Sequence, residues 1–305
     1  MQAGQLAQAS SLSLCDRQAS LTPTQQDKLF RFAALVKTEL AQSGQRVALI
    51  ARSGLDLGWF GLRYSHAGLS LQDSDSAPWS VRQLYYACDE GRSRVFDQGI
   101  AGFVLGTDDP RRGYVSLVFM PEAESTALAR AALDKAQALR VLSSQYSANA
   151  YPFSVRYQNC NQWVAELIAS AWGHLPMGDD AGAMDARVQA QAWLLAQAYE
   201  PTVIDVGWRV LMWGSALVPF VHRDDHPELD LAAKRFRVSM PAAIEAFVHQ
   251  RLPAATRVEL CHTDQHMVIH RGWDAVAEGC VPGPGDTVVS LQTDAPQDAV
   301  AGPGR

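Results

Sequence analysis

Apolar residues recur at helical spacing in several parts of the chain. Between residues 29 and 40 they fall three and four positions apart, downstream of Thr22, Pro23 and Gln25, which form a capping-box helix start. Gly44 predicts the end of this helix. The same spacing predicts a long helix from Pro121 to about residue 144, a helix from Cys160 to Gly173, and helices at about 183–199, at 202–220 and from Pro241.

Short apolar runs predict the strands. They lie at 46–51, 62–71, 79–87, 113–120, 256–262, 266–273 and 286–292. A polar turn separates the second run from the third, which predicts a hairpin. Because hairpins and helices are segregated along the chain, the order predicts an α+β fold with a mainly antiparallel sheet packed on helices.

The pattern also divides the chain. We expect a flexible N-terminal segment at 1–21, a main domain at 22–200, a C-terminal helical and β-hairpin extension packed on it at 201–290, and a flexible Pro- and Gly-rich tail at 291–305. The most apolar stretch, 202–221, contains Asp205 and Arg209, which favours a buried helix over a membrane span.

Charge and cysteine content narrow the class of protein. The net charge is −6 and no basic tract occurs, which argues against nucleic acid as a partner. Five cysteines leave one thiol over if the others pair. Cys261 could pair with Cys280 across the last hairpin, and Cys15 with Cys88, which would indicate a periplasmic or otherwise exported protein. Five reduced cysteines in a cytosolic protein are the alternative. No signal peptide is visible in the first residues.

Cys160 has the setting of a nucleophile. It opens a helix directly after Asn159, where unpaired N–H groups and the helix dipole favour a thiolate. We therefore expect a lowered thiol pKa and an oxyanion site at the backbone N–H of Cys160. The alternative is a buried cysteine that packs like a hydrophobic residue.

His66 is the candidate base. It lies in a predicted strand, and Gly68, on the same face, leaves room for a substrate beside it. The return strand offers Gln83 or Arg82 to orient the ring. We favour Gln83 because a neutral amide can accept a hydrogen bond from a ring N–H. A core histidine without a chemical role is the alternative.

Further polar residues flank these candidates. Tyr64, Asp56, Gln158 and Asn159 are predicted to line the substrate or oxyanion site. Two histidine-containing segments, 222–226 and 261–270, could offer metal ligands, but a loop setting and the alternating faces of a hairpin argue against convergence. We expect no metal and no cofactor.

Two motifs resemble a known superfamily. "SHAGL" at 65–69 followed by "NCNQWV" at 159–164 is similar to the circularly permuted papain-like enzymes, relatives of the NlpC-type peptidases and lecithin:retinol acyltransferase. More narrowly, "VALIARSGLDL" at 47–57, together with both motifs, resembles bacterial domain-of-unknown-function family 2145. The resemblance implies a permuted papain-like fold, a nucleophile at Cys160 and a base at His66.

The resemblance also implies a function. We expect a thiol-dependent hydrolase or acyltransferase that acts on an amide or ester bond through an acyl-enzyme. The substrate would be an envelope peptide, peptidoglycan or lipid. The alternative is a catalytically inactive envelope binding module that keeps the fold.

Overall fold

The computed structural model describes residues 21–175, 183–207 and 218–291. The helices are α1 (Pro23–Gln42), α2 (Ile100–Leu105), α3 (Glu122–Leu133), α4 (Lys135–Arg140), α5 (Cys160–Trp172), α6 (Ala183–Ala196), α7 (Glu228–Ala232) and α8 (Pro241–Arg251). The strands are β1 (Val47–Arg52), β2 (His66–Leu71), β3 (Ser80–Ala87), β4 (Arg92–Gln98), β5 (Gly113–Phe119), β6 (Thr202–Asp205), β7 (Arg235–Val238), β8 (Thr256–His262), β9 (His266–Arg271) and β10 (Thr287–Ser290).

One large antiparallel sheet organises the described chain. Its eight strands run in the order β10-β9-β8-β5-β1-β2-β3-β4, and a separate pair joins β6 to β7. β1 lies between β2 and β5 and is buried along almost its whole length. The predicted α+β class with a mainly antiparallel sheet is confirmed.

Helices cover both faces of this sheet. Residues of α1 and α2 form one apolar cluster, with alternate residues of β1 such as Ala48 and Ile50. Residues of α3, α5, α6 and α8 form the other, with Leu49 and Ala51. Strand alternation therefore divides the core into an α2 side and an α5 side. The continuous apolar run of β1 is explained by its position between two helical layers.

The structure confirms the capping residues that predicted where α1 and α5 begin and where α1 ends. Thr22 and Gln25 form the reciprocal capping box of α1, and Gly44 follows the helix with a φ of 70°. Asn159 caps α5, which makes Cys160 its first helical residue.

Two predicted helices differ in the structure. The helix expected from Pro121 to about residue 144 ends at Leu133, where Asp134 leaves helical geometry and caps the separate α4. The helix expected at 202–220 is wrong at its start, because Thr202–Asp205 is a strand paired with β7. Residues 208–217 of that segment lie outside the described residues.

Two elements of the sheet's β4 end were missed altogether. Three of the seven residues of β4 are charged, and α2 has only six residues, so neither has a strong apolar pattern. Both contribute to the site described below. Nearly all of the expected flexible ends, 1–20 and 292–305, fall outside the described residues, and the division at residue 200 stays a prediction.

Within 21–175, 183–207 and 218–291, no helix has both the length and the apolar character needed to cross a membrane. Cys261 and Cys280 form a disulfide, as expected. Cys15, the expected partner of Cys88, lies outside the described residues, so that pairing stays a prediction.

The disulfide should contribute measurably to stability. Cys261 and Cys280 are 19 residues apart. Closing a loop of that size lowers the entropy of the unfolded chain, which stabilises the folded protein by about 3 kcal/mol. We expect the double variant Cys261→Ala/Cys280→Ala to lose roughly that free energy of unfolding in urea titrations. An unchanged unfolding midpoint with an unchanged slope would show that the crosslink does not stabilise the fold.

Candidate active site

Helix α5 presents Cys160 at its first turn. The Oδ1 of Asn159 accepts a hydrogen bond from the N–H of Gln162 at 2.7 Å, which fixes where the helix begins. All 13 residues of α5 are buried, so the helix lies inside the protein rather than on its surface. Cys160 is the free cysteine of the described residues and is 7% exposed.

Asn161, the next residue, ties the helix start to the strand of the candidate base. Its Oδ1 accepts a hydrogen bond from the N–H of Ala67 at 2.9 Å, and its Nδ2 donates to the carbonyl of Ser65 at 3.2 Å. The thiol of Cys160 donates to the same Oδ1 at 3.6 Å. One side chain therefore contacts the thiol and the peptide groups on both sides of His66. Sequence reasoning did not single out Asn161, because its partners are 94 and 96 residues away.

A pair of glutamines orients His66. Its Nε2 lies 2.5 Å from the Oε1 of Gln83, and the Nε2 of Gln83 donates to the Oε1 of Gln98 at 2.8 Å. Arg82 points to the opposite face, where it forms an ion pair with Asp97 at 2.6 Å. The geometry thus places Gln83, not Arg82, at the ring.

Gly68 has a different role from the one expected. A Cβ at this position would lie 2.6 Å from Val81 Cγ1, 3.0 Å from the carbonyl oxygen of Arg82 and 3.3 Å from Gln83 Cβ. The space beside His66 is therefore filled by β3 and not by a substrate. The glycine is needed because it lets Gln83 come close to the ring.

The thiol and the imidazole are both buried, and burial dominates their protonation. Burial raises the pKa of Cys160 to about 11, against the opposing effects of the N–H of Asn161, the charge of Arg52 and the N–H groups of Ala67 and Cys160. Burial, followed by the charge of Arg52, lowers the pKa of His66 to about 3, against the opposing effect of the hydrogen bond that the ring makes to the Gln83 oxygen. The expected lowering of the thiol pKa is therefore wrong for the resting protein, in which both groups are neutral at pH 7.

Arg52 is a further member of the site. It pairs with His66 across β1 and β2, and its guanidinium lies 5.2 Å from the ring centre of Phe103 and donates to the carbonyl of Gly106. Its charge acts on both Cys160 and His66. Only the fold reveals this role, since α2, which carries Phe103, was not predicted.

The His66 ring and the Cys160 thiol lie on different sides of the sheet. His66 is the first residue of β2, and its ring lies on the α2 side, 5.9 Å from Phe103. Cys160 belongs to the apolar cluster on the α5 side, together with Ala67. The proton transfer proposed below would therefore have to pass around the end of β2.

The side chains of Gln158 and Asn159 connect the start of α5 to neighbouring segments by hydrogen bonds. The Nε2 of Gln158 donates to the carbonyl of Val141 and to Glu166, both at 2.7 Å. The Nδ2 of Asn159 donates to the carbonyls of Ala148 at 3.2 Å and Ser239 at 3.5 Å. Both amide groups already have backbone or carboxylate acceptors, so neither side chain is arranged to bind an oxyanion.

Tyr64 and Asp56 make hydrogen bonds to groups other than the thiol. β2 begins only at His66, so Tyr64 lies outside the strand, and its hydroxyl donates to Glu259 and accepts from Arg257. Asp56 is exposed and accepts a hydrogen bond from the N–H of Gly58 at 3.0 Å. It lines a cleft of about 650 Å³ formed by residues of the 53–63 and 107–112 loops, with Tyr114 and Glu278. In the parts of the chain that the structure describes, no group of three or more His, Cys, Asp or Glu side chains could hold a metal ion.

The fold and site define an α+β protein in which Asn161 ties a buried helix-start cysteine to the strand of a histidine that a glutamine orients. The model of family DUF2145, described as an uncharacterized protein conserved in bacteria, matches residues 39–248. The chain therefore belongs to this family, and the match includes Cys160, His66 and Gln83. No curated protein and no solved structure matches the chain.

Gly68→Ala tests the packing of β3 against His66. The new methyl group would overlap Val81 and move Gln83 from the ring, so we expect the free energy of unfolding to fall by about 1–3 kcal/mol in urea titrations. Gly283→Ala is the control, since a Cβ there would meet only Asp286 at 3.6 Å, an ordinary contact. Equal stability of the two variants would mean that β3 does not press on Gly68.

His66 also predicts a pH dependence of stability. Its pKa is about 3 in the folded protein and 6.5 in a solvated reference, so between these values the unfolded chain binds more protons. The contribution of His66 to the free energy of unfolding is therefore fully present above about pH 6.5, and it is lost as the pH decreases towards 3. We expect His66→Gln to reduce this slope in urea titrations from pH 4.5 to 7. Burial and Lys28 lower the pKa of His262 to about 4, so this histidine keeps part of the slope in the variant. An unchanged slope would mean that His66 is solvated.

Proposed function

We propose that this protein is a thiol-dependent hydrolase or acyltransferase that acts on an amide or ester bond through Cys160 and His66. The observation that carries the proposal is the contact of Asn161 with the thiol and with both peptide groups that flank His66. It joins a helix-start cysteine to a histidine whose ring has a polar orienting partner. These are the three parts that a cysteine nucleophile requires.

The reaction follows from the free ring nitrogen. Because Nε2 of His66 faces Gln83, Nδ1 is left to take the proton from Sγ while Sγ attacks the carbonyl carbon. The carbonyl electron pair moves to oxygen and gives a tetrahedral oxyanion. When this intermediate collapses, the amine or alcohol leaves with the proton from Nδ1, and a thioester on Cys160 remains. Water or another acceptor, deprotonated by the same nitrogen, then attacks the thioester and releases the thiol.

Backbone groups are the best candidates for oxyanion donors. The N–H groups of Cys160 and Asn161 belong to the first turn of α5, where a helix has no internal acceptors for them, and both act on the sulfur. The side chains of Gln158 and Asn159 already donate to acceptors in the protein. We therefore assign oxyanion binding to the backbone of the helix start.

The fold supports a permuted papain-like assignment as part of the same proposal. The histidine strand precedes the cysteine helix in the chain, and the helix packs on an antiparallel sheet that contains that strand. Gln83, on the neighbouring strand β3, holds the ring. The order of the histidine strand and the cysteine helix is the one the resemblance implies, whereas Gln83 is assigned from the hydrogen bond to His66.

Location and substrate belong to the proposal as well. The Cys261–Cys280 disulfide supports an exported, periplasmic protein, because such bonds persist in oxidising compartments. An envelope peptide, peptidoglycan or lipid is then the substrate class, and it would supply the amide or ester bond.

One observation favours the alternative, an inactive binding module. Burial keeps the Cys160 thiol protonated in the resting protein, with a pKa of about 11, whereas many reactive cysteines are thiolates near neutral pH. The two functions differ in whether His66 increases the reactivity of this thiol.

Thiol labelling distinguishes them. We expect iodoacetamide to label Cys160 at pH 7 about tenfold or more faster in the wild type than in His66→Ala, because a base that takes the thiol proton accelerates the attack. Peptide mass spectrometry reports the labelled residue, and Cys160→Ser is the blank. Equal rates in both proteins would favour the binding module.

A second arm tests acyl transfer itself. We expect p-nitrophenyl acetate to leave an acetyl group on Cys160, detected as a mass increase of the intact protein that is lost in Cys160→Ser and His66→Ala. A crystal structure in which Sγ and the His66 Nδ1 lie more than about 8 Å apart would contradict the proposed pair.

A further inference from the structure

The side-chain amide of Gln83 lies between His66 and Gln98, and it presents its oxygen to one and its nitrogen to the other. Its oxygen faces the Nε2 of His66, and its nitrogen donates to the Oε1 of Gln98. An amide has a donor end and an acceptor end that are not interchangeable. What Gln98 presents to Gln83 therefore decides what Gln83 presents to His66.

The two possible orientations have opposite chemical consequences. With the oxygen of Gln98 towards Gln83, His66 carries its proton on Nε2 and keeps a lone pair on Nδ1. If both amides were reversed, Gln83 would donate to Nε2, and the neutral ring would carry its proton on Nδ1. The nitrogen assigned to the thiol would then have no lone pair to accept a proton.

Gln98 is held from the side away from Gln83. It is the last residue of β4, and the chain turns at Gly99 directly into α2. Gly102 of that helix lies against it, since a Cβ there would come within 2.9 Å of Gln98 Nε2 and 3.0 Å of its Cγ. Close packing of α2 on this side chain restricts the conformations available to it.

We propose that Gln98 is a positioning residue, which acts through Gln83 to keep the proton of His66 on Nε2 and Nδ1 free as the base. The catalytic meaning of this inference rests on the proposed function, but the tautomer itself is a property of the resting protein. Gln98 touches neither the ring nor the thiol in this arrangement. Its effect passes through the orientation of one amide.

The tautomer can be measured without any substrate. In protein with ¹⁵N-labelled histidine, long-range ¹H–¹⁵N correlation spectra distinguish Nε2–H from Nδ1–H, and His66→Gln identifies the His66 signals among the eight histidines. For the wild type at pH 7 we expect the Nε2–H form. A wild type with the proton on Nδ1 would overturn the inference at once.

Two substitutions of one residue separate orientation from packing. Gln98→Met keeps the length of the side chain but replaces the amide oxygen by a thioether, which is only a weak acceptor for Gln83. We therefore expect a mixture of both tautomers and labelling of Cys160 that is slower in proportion to the Nδ1–H fraction, about twofold for an equal mixture. Gln98→Glu offers only acceptor oxygens, and we expect it to retain the Nε2–H form. Gln72→Met, on an exposed glutamine just beyond the other end of β2, is the matched control and should behave as the wild type.

The tautomer measurements test the role of Gln98 whether or not the protein is the proposed enzyme. An unchanged tautomer in Gln98→Met, or the same mixture in Gln98→Glu, would overturn the role of Gln98. Correct tautomers together with a Cys160 that reacts equally with and without His66 would uphold the role of Gln98 and refute the enzyme.

Discussion

The side chain of Asn161 is the contact on which the rest of the site depends. It is 2% exposed, and a buried amide without partners costs about 1–3 kcal/mol, so its hydrogen bonds to Ser65 and Ala67 favour one placement of α5 against β2. The same oxygen accepts from the thiol of Cys160. Because α5 is buried on all sides, the helix cannot shift along the strand without disturbing the core around it.

Two buried charge networks fix the elements that Asn161 brings together. Glu166 of α5 is fully buried and accepts hydrogen bonds from Arg187 of α6 and from three glutamines, one of which is Gln158. Glu259 of β8 is also fully buried, and it binds Arg257 and the hydroxyl of Tyr64 just before His66. Buried pairs of this kind add little net stability because desolvation offsets the Coulombic gain, but the loss of one partner would leave a buried charge uncompensated. They explain why Tyr64 and Gln158, although near Cys160 or His66 in sequence, serve as anchors.

What could be predicted from the sequence was local. The capping box of α1, the Asn159 cap before Cys160 and the apolar runs of β2 and β3 carry their signal within a few residues, and the structure agrees with them. The register of the hairpin was open, and alternation along β3 assigns Gln83 to the ring. Arg52, Gln98 and Asn161 escaped prediction because their roles come from partners distant in the chain. Thr202–Asp205 was mistaken for helix because a four-residue strand in an apolar stretch has no period of its own.

The direction of the Cys160 pKa was mispredicted for a reason that bears on mechanism. A helix start favours a thiolate, but desolvation at a buried position favours the neutral thiol more strongly, and the same desolvation favours the neutral imidazole of His66. Arg52 then acts in opposite senses, since its charge stabilises a thiolate and disfavours an imidazolium. A stable ion pair is therefore not the resting state of the site. In the proposed reaction, the thiolate forms only as the proton moves to His66 and the sulfur attacks. This transfer requires a lone pair on the ring nitrogen that receives the proton. This makes the orientation of the ring, and so the two glutamines behind it, more important here than in an enzyme whose thiolate already exists before the substrate binds.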